Sequence, residues 1–292
     1  MSRAVVLDNG SCTSRAGFAD ESLPELVFPT CLAEGKGRSM YELPDVQEFI
    51  GEGAYQNRHR MELINPIKDG IVTNWDAMEK ILAHTFRKLN VEAADQPVLV
   101  TGAHPTWKDM KTDKAQRERM TQVMFETFNT PLMYMAFQPV LGIYTSGQTT
   151  GLAIESGSSY SYTLAVYERH GVHSTMNVLP IGGRHLTEHL EKMMRDGGSD
   201  RFEVGGFELA QDMKEKHCCV RLNEESIEEA FYELPDGNKI EMGKERFLCP
   251  EALFHPGLLG RPERGDSIVN RSIHGIHILA NQSIQRSDVE RH

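Results

Sequence analysis

The sequence predicts an α/β protein with a duplicated fold, and two matching stretches carry that reading. Ala4-Val5-Val6-Leu7 runs into Asp8 and then Asn9-Gly10-Ser11-Cys12, with a second short strand from Ser14 to Phe18. An apolar run bounded by Asn-Gly reads as a buried strand closing in a tight hairpin. Gly151-Leu152-Ala153-Ile154 repeats the arrangement. It leads into Glu155 and Ser156-Gly157-Ser158-Ser159-Tyr160, with a strand from Tyr162 to Tyr167. Asp8 and Glu155 are 147 positions apart, about one domain length. A chain of 292 residues is one large domain or two ordinary ones.

Each turn presents backbone N–H groups and hydroxyls beside an acid. That is an anion site: N–H groups and Ser11 suit a phosphate, and Asp8 suits a divalent cation held through water. An ordinary Asn-Gly hairpin would explain the first loop alone. Its recurrence favours two facing halves that grip one polyphosphate and its metal.

Composition narrows the class. A 39% hydrophobic and 25% charged content is that of a globular protein. A net charge of −11 argues against a general nucleic-acid or anionic-membrane surface. No apolar run approaches the roughly 18 residues that span a bilayer, and the N-terminus does not read as a secretory signal. The five cysteines, Cys12, Cys31, Cys218, Cys219 and Cys249, are an odd count, which fits a reducing compartment.

Along the chain, 25–66 reads as irregular, with a mobile surface loop from Ala33 to Pro44 and a short strand at Glu48 to Gly51. Asn74 is placed to cap a helix beginning at Trp75. Met78, Ile81, Leu82, Thr85, Phe86 and Leu89 then recur at helical spacing, so one face is core. Pro97 to Thr101 is a buried strand. A charged segment from Lys108 to Arg119 links it to a helix marked by Met120, Val123, Met124 and Phe128. Leu132 to Phe137 is another strand. Gln138 ends it and Pro139 opens a helix, where its missing N–H is not needed. A neutral amide held at that junction orients a water by donating and accepting together.

In the second half, helices are expected over Leu186 to Met194, Phe207 to Cys219 and the acidic stretch from Glu224 to Ala230. Taken alone, Lys214 and Glu215 read as a solvated helix face. Tyr232 to Ile240 is a hairpin with Asp236-Gly237 at its tip. Arg261 to Asp266 is loop-like, and 273–292 is partly helical. His217, Cys218 and Cys219 are consecutive, so on a helix their side chains diverge and a metal site there is disfavoured. No Walker A loop, His-Glu-x-x-His or Cys-x-x-Cys occurs.

Several stretches resemble actin. Asp8-Asn9-Gly10-Ser11 with Ala16-Gly17-Phe18-Ala19 is similar to its first phosphate loop. Asn65-Pro66-Ile67 with Gly70 to Asp76, Met120 to Pro131, Tyr232 to Gly237, and Glu245-Arg246-Phe247 with Cys249 to Phe254 are similar to further actin stretches. The resemblance covers nearly the whole chain. It implies an actin-like ATPase fold, two ribonuclease-H-like halves around a nucleotide cleft that holds ATP or ADP and a divalent cation such as Mg. The halves are expected at 1–144, with a small subdomain at 30–66 carrying the mobile loop, and at 145–292, with one at 182–265.

By that resemblance, Asp8 and Glu155 organise the metal's waters and Gln138 orients the attacking water. Asn9, Gly10, Ser11, Cys12 and Arg15 belong to the first phosphate loop. Ser156, Gly157, Ser158, Ser159 and Tyr160 form the second. Gly183, Lys214 and Glu215 match the nucleoside side. The implied partners are actin or actin-like subunits and actin-binding proteins, with no direct nucleic acid and no membrane. The implied location is cytoplasmic and cytoskeletal, with the nucleus as an alternative.

The departures from the family pattern are specific. Its second loop reads Asp-Ser-Gly-Asp-Gly-Val-Thr-His, where this chain has Glu155 to Tyr162. Glu155 moves the charge outward by a methylene, Ser158 loses a carboxylate, Ser159 replaces a glycine and Tyr162 a histidine. Cys12 stands for a glycine, Arg15 for a lysine, Gln211 for an arginine and Asp69 for a histidine. The segment between Thr101 and Met120 is longer than actin's. The chain stops at His292, before the family's third glycine-rich loop and its C-terminal helices, so the second half is expected to be incomplete.

The expected function is an actin-like ATP-binding cytoskeletal protein, a filament or complex subunit and at most a weak ATPase. Two alternatives stand beside it. Nuclear co-purification would favour an actin-related scaffold of a chromatin complex. Sugar-dependent ATP turnover would favour a kinase of the wider fold class, against which the stretches around Trp75 and Phe254 argue.

Overall fold

A computed structural model describes residues 3–35, 48–102, 110–197, 206–221, 230–234, 237–260 and 274–289. The chain forms two compact units, Met1–Gly147 and Gln148–His292.

In the first unit the strands are β1 (Val5–Asn9), β2 (Thr13–Phe18), β3 (Leu26–Pro29), β4 (Leu32–Gly35) and β5 (Phe49–Ile50). Helix α1 (Glu52–Asn57) and strands β6 (Met61–Ile64), β7 (Ile67–Lys68) and β8 (Ile71–Val72) follow. The unit continues with α2 (Trp75–Lys88), β9 (Val98–Gly102), α3 (Met110–Gln122), β10 (Met133–Phe137) and α4 (Gln138–Thr145). The main sheet runs β10-β9-β1-β2-β3. Strand β1 is parallel to β9 and antiparallel to β2. Being paired on both edges, β1 is apolar until Asp8, and Val5 and Leu7 are buried with Val98 and Val100 of β9.

Helix α2 starts where the sequence places it. The Asn74 side chain accepts a hydrogen bond from the Ala77 N–H at 3.0 Å, and Met78, Ile81, Leu82, Thr85 and Phe86 are all buried. Two expectations are corrected. The described parts of 25–66 are not irregular: β4 pairs with β5 and β6 in a small sheet, and buried Cys31 and Ala33 pack on Ala54 of α1. Of the expected loop, Ala33 to Gly35 are strand and 36–44 lie outside the described residues. The charged segment before Met120 is also not a linker from Met110 onward. It is α3, braced by an Arg117–Asp113 ion pair at 3.0 Å and followed by a π-helical turn over Val123–Thr127.

The second unit contains β11 (Gly151–Ser156), β12 (Ser161–Tyr167), β13 (His170–Gly171) and β14 (Asn177–Leu179). After these come α5 (Gly183–Asp196), α6 (Gly206–His217), β15 (Ala230–Glu233), β16 (Lys239–Met242), α7 (Glu245–Glu251) and α8 (Ile276–Val289). Strand β12 pairs with β11, β13 and β14. Helix α5 turns Leu186, Leu190 and Met194, spaced by four, into a core shared with Ala210 and Met213 of α6 and Cys249 of α7. Helix α8 is fastened by buried hydroxyls: Ser283 Oγ lies 2.8 Å from Thr163 Oγ1 on β12. Ala230 is strand rather than a helix end, and 224–229 and 261–266 lie outside the described residues.

Candidate functional site

The first unit builds its polar centre at the end of β1. Asp8 lies directly across the hairpin from Arg15, whose Nη1 is 3.5 Å from Asp8 Oδ2. Because β9 pairs on the other edge of β1, Thr101 reaches the same carboxylate and donates to Asp8 Oδ1 at 2.7 Å. Gln138, the first residue of α4, donates from Nε2 to that oxygen at 2.8 Å. The carboxylate is thus oriented by strand, neighbouring strand and helix start. A carboxylate offers about four lone-pair sites, so Asp8 retains acceptor capacity. With Nε2 held by Asp8, Gln138 Oε1 makes no hydrogen bond among the described residues.

The loop beyond Asp8 is closed by the Gly10 N–H donating to the Thr13 carbonyl at 3.0 Å. Ser11 Oγ accepts from the Gly70 N–H at 3.2 Å, which fastens the loop to the β7–β8 turn. Cys12 is exposed, and its carbonyl accepts from the Thr30 N–H at 2.9 Å. Asn9 Nδ2 is buried and has no hydrogen-bond partner among the described residues. An unsatisfied buried donor costs about 1–3 kcal/mol, so this amide suits an acceptor brought by a ligand.

The second hairpin repeats the register. Glu155 lies across from Tyr162, as Asp8 does from Arg15, but the residue opposite the acid is now a phenol. Tyr162 O–H donates to Glu155 Oε2. Ser161 Oγ donates to the Ile181 carbonyl at 2.8 Å, so Ser156 Oγ, 2.8 Å away, donates to Ser161. The Gly157 N–H donates to the Tyr160 carbonyl at 2.9 Å and closes the turn.

This turn docks on the start of α5. The carbonyls of Gly157 and Ser158 accept from the N–H groups of Gly183 and Arg184, at 2.9 and 2.8 Å. The approach requires Gly182, where a β-carbon would meet both carbonyl oxygens at 2.6 Å. Lys214 then reaches across from α6. Its ammonium donates to the Gly183 carbonyl and to Thr187 Oγ1, both at 2.9 Å. Lys214 therefore does not lie on a solvated face, as its sequence context alone implies. Glu215 does: it is exposed and accepts from Gln211 on its own helix at 3.1 Å.

Within the first unit, the fold gathers Asp8, Arg15 and Gln138 at one strand end, with the Asn9–Cys12 turn leading away from it. Within the second, it gathers the 156–160 loop, Gly183 and Lys214 at the start of α5, with Glu155 on the strand feeding that loop. Thr101, Gly70, Gly182 and Thr187 join them unforeseen. A polar residue closing an apolar parallel strand was the available signal for Thr101, since ligands gather beyond the carboxyl ends of such strands.

Compared with known protein families, residues 1–292 match the family described as Actin. Proteins of that family generally bind a nucleotide with a divalent metal. A family match of this extent, on an α/β chain whose two hairpins each carry an acid at the turn, settles the kinship: the chain belongs to the actin family.

Proposed function

We propose that this chain is an ATP-binding subunit of an actin-like filament or complex, built as two ribonuclease-H-like halves, with weak or absent ATP hydrolysis. The observation that carries the nucleotide reading is the Thr101–Asp8–Gln138 node, with hydrogen bonds of 2.7 and 2.8 Å onto one carboxylate oxygen. Bound Mg-ATP supplies the phosphoryl group and neutralises its developing charge.

The chain's own residues do the rest. Asp8 in the first unit and Glu155 in the second are each an acid suited to the waters of a divalent cation. The buried Asn9 amide, the Cys12 N–H, Ser11 and Arg15 take phosphate oxygens, on a turn that the Gly10 N–H closes against Thr13. Ser156, Gly157, Ser158, Ser159 and Tyr160 present the second loop. Gly183, Lys214 and Glu215 face the nucleoside. Gln138, with Nε2 fixed on Asp8, accepts from a water through Oε1 and orients it. Weak hydrolysis is favoured by Tyr162, which spends its hydroxyl on Glu155 where the family has a histidine.

Isothermal titration with ATP, with and without Mg, tests this reading. Mg should tighten binding by about tenfold or more, and Asp8→Asn should abolish that gain. Equal affinity in all three cases overturns it. For assembly, Tyr144 is an aromatic side chain 43% exposed on α4, of the kind enriched where proteins associate. Co-sedimentation with conventional actin should recover the chain in the pellet. Its complete retention in the supernatant counts against an actin-like partner.

A further inference from the structure

Two histidines and an acid meet outside the candidate site, where the end of α7 abuts the start of α8. Glu251 is the last residue of α7, His255 follows it by four, and His277 lies in the first turn of α8. The backbone fixes this corner. The His255 N–H donates to the Glu251 carbonyl at 2.8 Å, and the Ile276 N–H donates to the Leu253 carbonyl at 2.9 Å. Gly275 permits that approach, since a β-carbon there would meet the Phe254 carbonyl oxygen at 1.9 Å. The His277 ring lies tilted against Phe254 with centroids 5.7 Å apart, and its centroid is 6.3 Å from that of His255. Both histidines are exposed.

We propose that His255 and His277 are the two protein ligands of an open site for a divalent transition ion of the zinc, nickel and copper group, with Glu251 orienting His255. The ligating atom of His255 follows from Glu251, whose Oε1 lies 2.7 Å from His255 Nδ1. A carboxylate can only accept, so Nδ1 carries the proton and the lone pair of the neutral ring is on Nε2. A histidine that gives one ring N–H to a carboxylate and ligates through its other nitrogen is the recurrent arrangement at zinc sites. The carboxylate fixes the tautomer and makes the ligating nitrogen more basic. The His277 ring has only aromatic contacts among the described residues, so its nitrogens are not spent on a hydrogen bond there.

The spacing and the donor type agree with such an ion. Imidazole nitrogens bind zinc at about 2.0–2.1 Å, which sets the centroids of two rings on one ion about 5–6 Å apart. The observed 6.3 Å is just beyond that spacing, and a small turn of two exposed side chains closes it. Imidazole suits zinc, copper and nickel, whereas magnesium and calcium take oxygen ligands. Among the described residues no group of three or more histidine, cysteine or acidic side chains is placed to hold a metal. Water therefore fills the remaining positions, and binding is weaker than at a closed four-ligand site. The ion would clip the end of α7 to α8, the helix whose Ser283 is already fastened to Thr163 of β12.

The test is isothermal titration of the untagged, chelator-treated chain with zinc chloride, without nucleotide, which itself chelates zinc. Zinc should bind at one site that needs both rings. Glu251→Gln should cost about tenfold in affinity while leaving the melting temperature of the metal-free chain unchanged. His255→Gln and His277→Gln remove a ligand outright and should each cost more, and the double variant little more than either. Both positions are exposed, so these variants should fold, and metal-free melting checks that they do. Zinc should raise the melting temperature of wild type and not that of His277→Gln. His170→Gln, at an exposed position of the same unit, should change nothing, and alkylating the exposed Cys12 and Cys219 thiols should leave the site intact. Absence of saturable zinc binding, binding unchanged in the double histidine variant, or binding lost on alkylation would each overturn the proposal.

Discussion

At the residue scale, the two acids are set apart by what faces them. Asp8 meets a guanidinium across its hairpin, and Glu155 meets a phenol in the same register. Asp8 is further oriented by Thr101 and Gln138. Thr101→Val removes one donor to a partly buried carboxylate while keeping side-chain shape. The hydrogen bond contributes about 1 kcal/mol, so the variant should stay folded, melt slightly lower and bind Mg-ATP several-fold more weakly by titration. Unchanged affinity would mean that Thr101 serves only the strand. Tyr162 gives a second prediction. Groups that stabilise charge or orient water contribute about 10²-fold or more when well placed. Phosphate release in a single turnover should be at least about tenfold slower than conventional actin under matched assembly conditions. Tyr162→His should recover part of that deficit by freeing Glu155, and rates equal to actin's in wild type would refute the reading.

At the element scale, docking of the second loop on α5 and the free edge of β11 are the features with measurable consequences. Gly182 lets two carbonyls approach the first N–H groups of α5. Gly182→Ala forces them apart, at a cost of about 1–3 kcal/mol. The expected outcome is a lower melting temperature together with weaker ATP binding; a change in neither would show that the loop yields freely. Strand β11 has no strand on its outer edge among the described residues, where β1 has β9. Leu7 of β1 is 1% exposed, whereas Ile154, the residue before Glu155, is 53% exposed. Beside it a groove of 570 Å³ is lined by Leu152, Val172 and Ile284, among others. Exposed apolar edge strands template association. Ile154→Lys should therefore reduce concentration-dependent light scattering without lowering the melting temperature, and unchanged scattering would show that this edge is not the sticky surface. Helix α2 and both hairpins were readable from sequence because their signals are local: a cap, a 3.6-residue period, an acid before Gly or Ser. Strands β4 and β6 were not, since their partners are remote in sequence and their hydrophobic alternation is short. Lys214 was misread for the same reason, because its partners Gly183 and Thr187 belong to another helix.

At the scale of the whole molecule, each unit holds a half-buried histidine that links its stability to pH. His84 on α2 packs against the Phe28 ring with centroids 5.4 Å apart. Burial lowers its pKa below 6.5, helped by Lys88 and Arg87. His189 on α5 is lowered by burial and by Lys192. A folded pKa below the unfolded value means that the unfolded chain binds more protons as pH falls through that interval. The stability these groups confer is therefore complete above pH 6.5. It is lost as pH falls from there through each folded value. Carboxylates ordinarily titrate near pH 4, so the interval from about 6.5 to about 5 belongs chiefly to histidine. Melting temperatures recorded at fixed ionic strength should be level above neutrality and decline across that interval. A double variant, His84→Gln with His189→Gln, keeps a polar side chain but cannot titrate, and its decline should be shallower than wild type. The single variants, one in each unit, should each remove part of the slope. A wild-type profile that stays level down to about pH 5, or a double variant with the same slope, would show that protonating these rings costs the fold nothing.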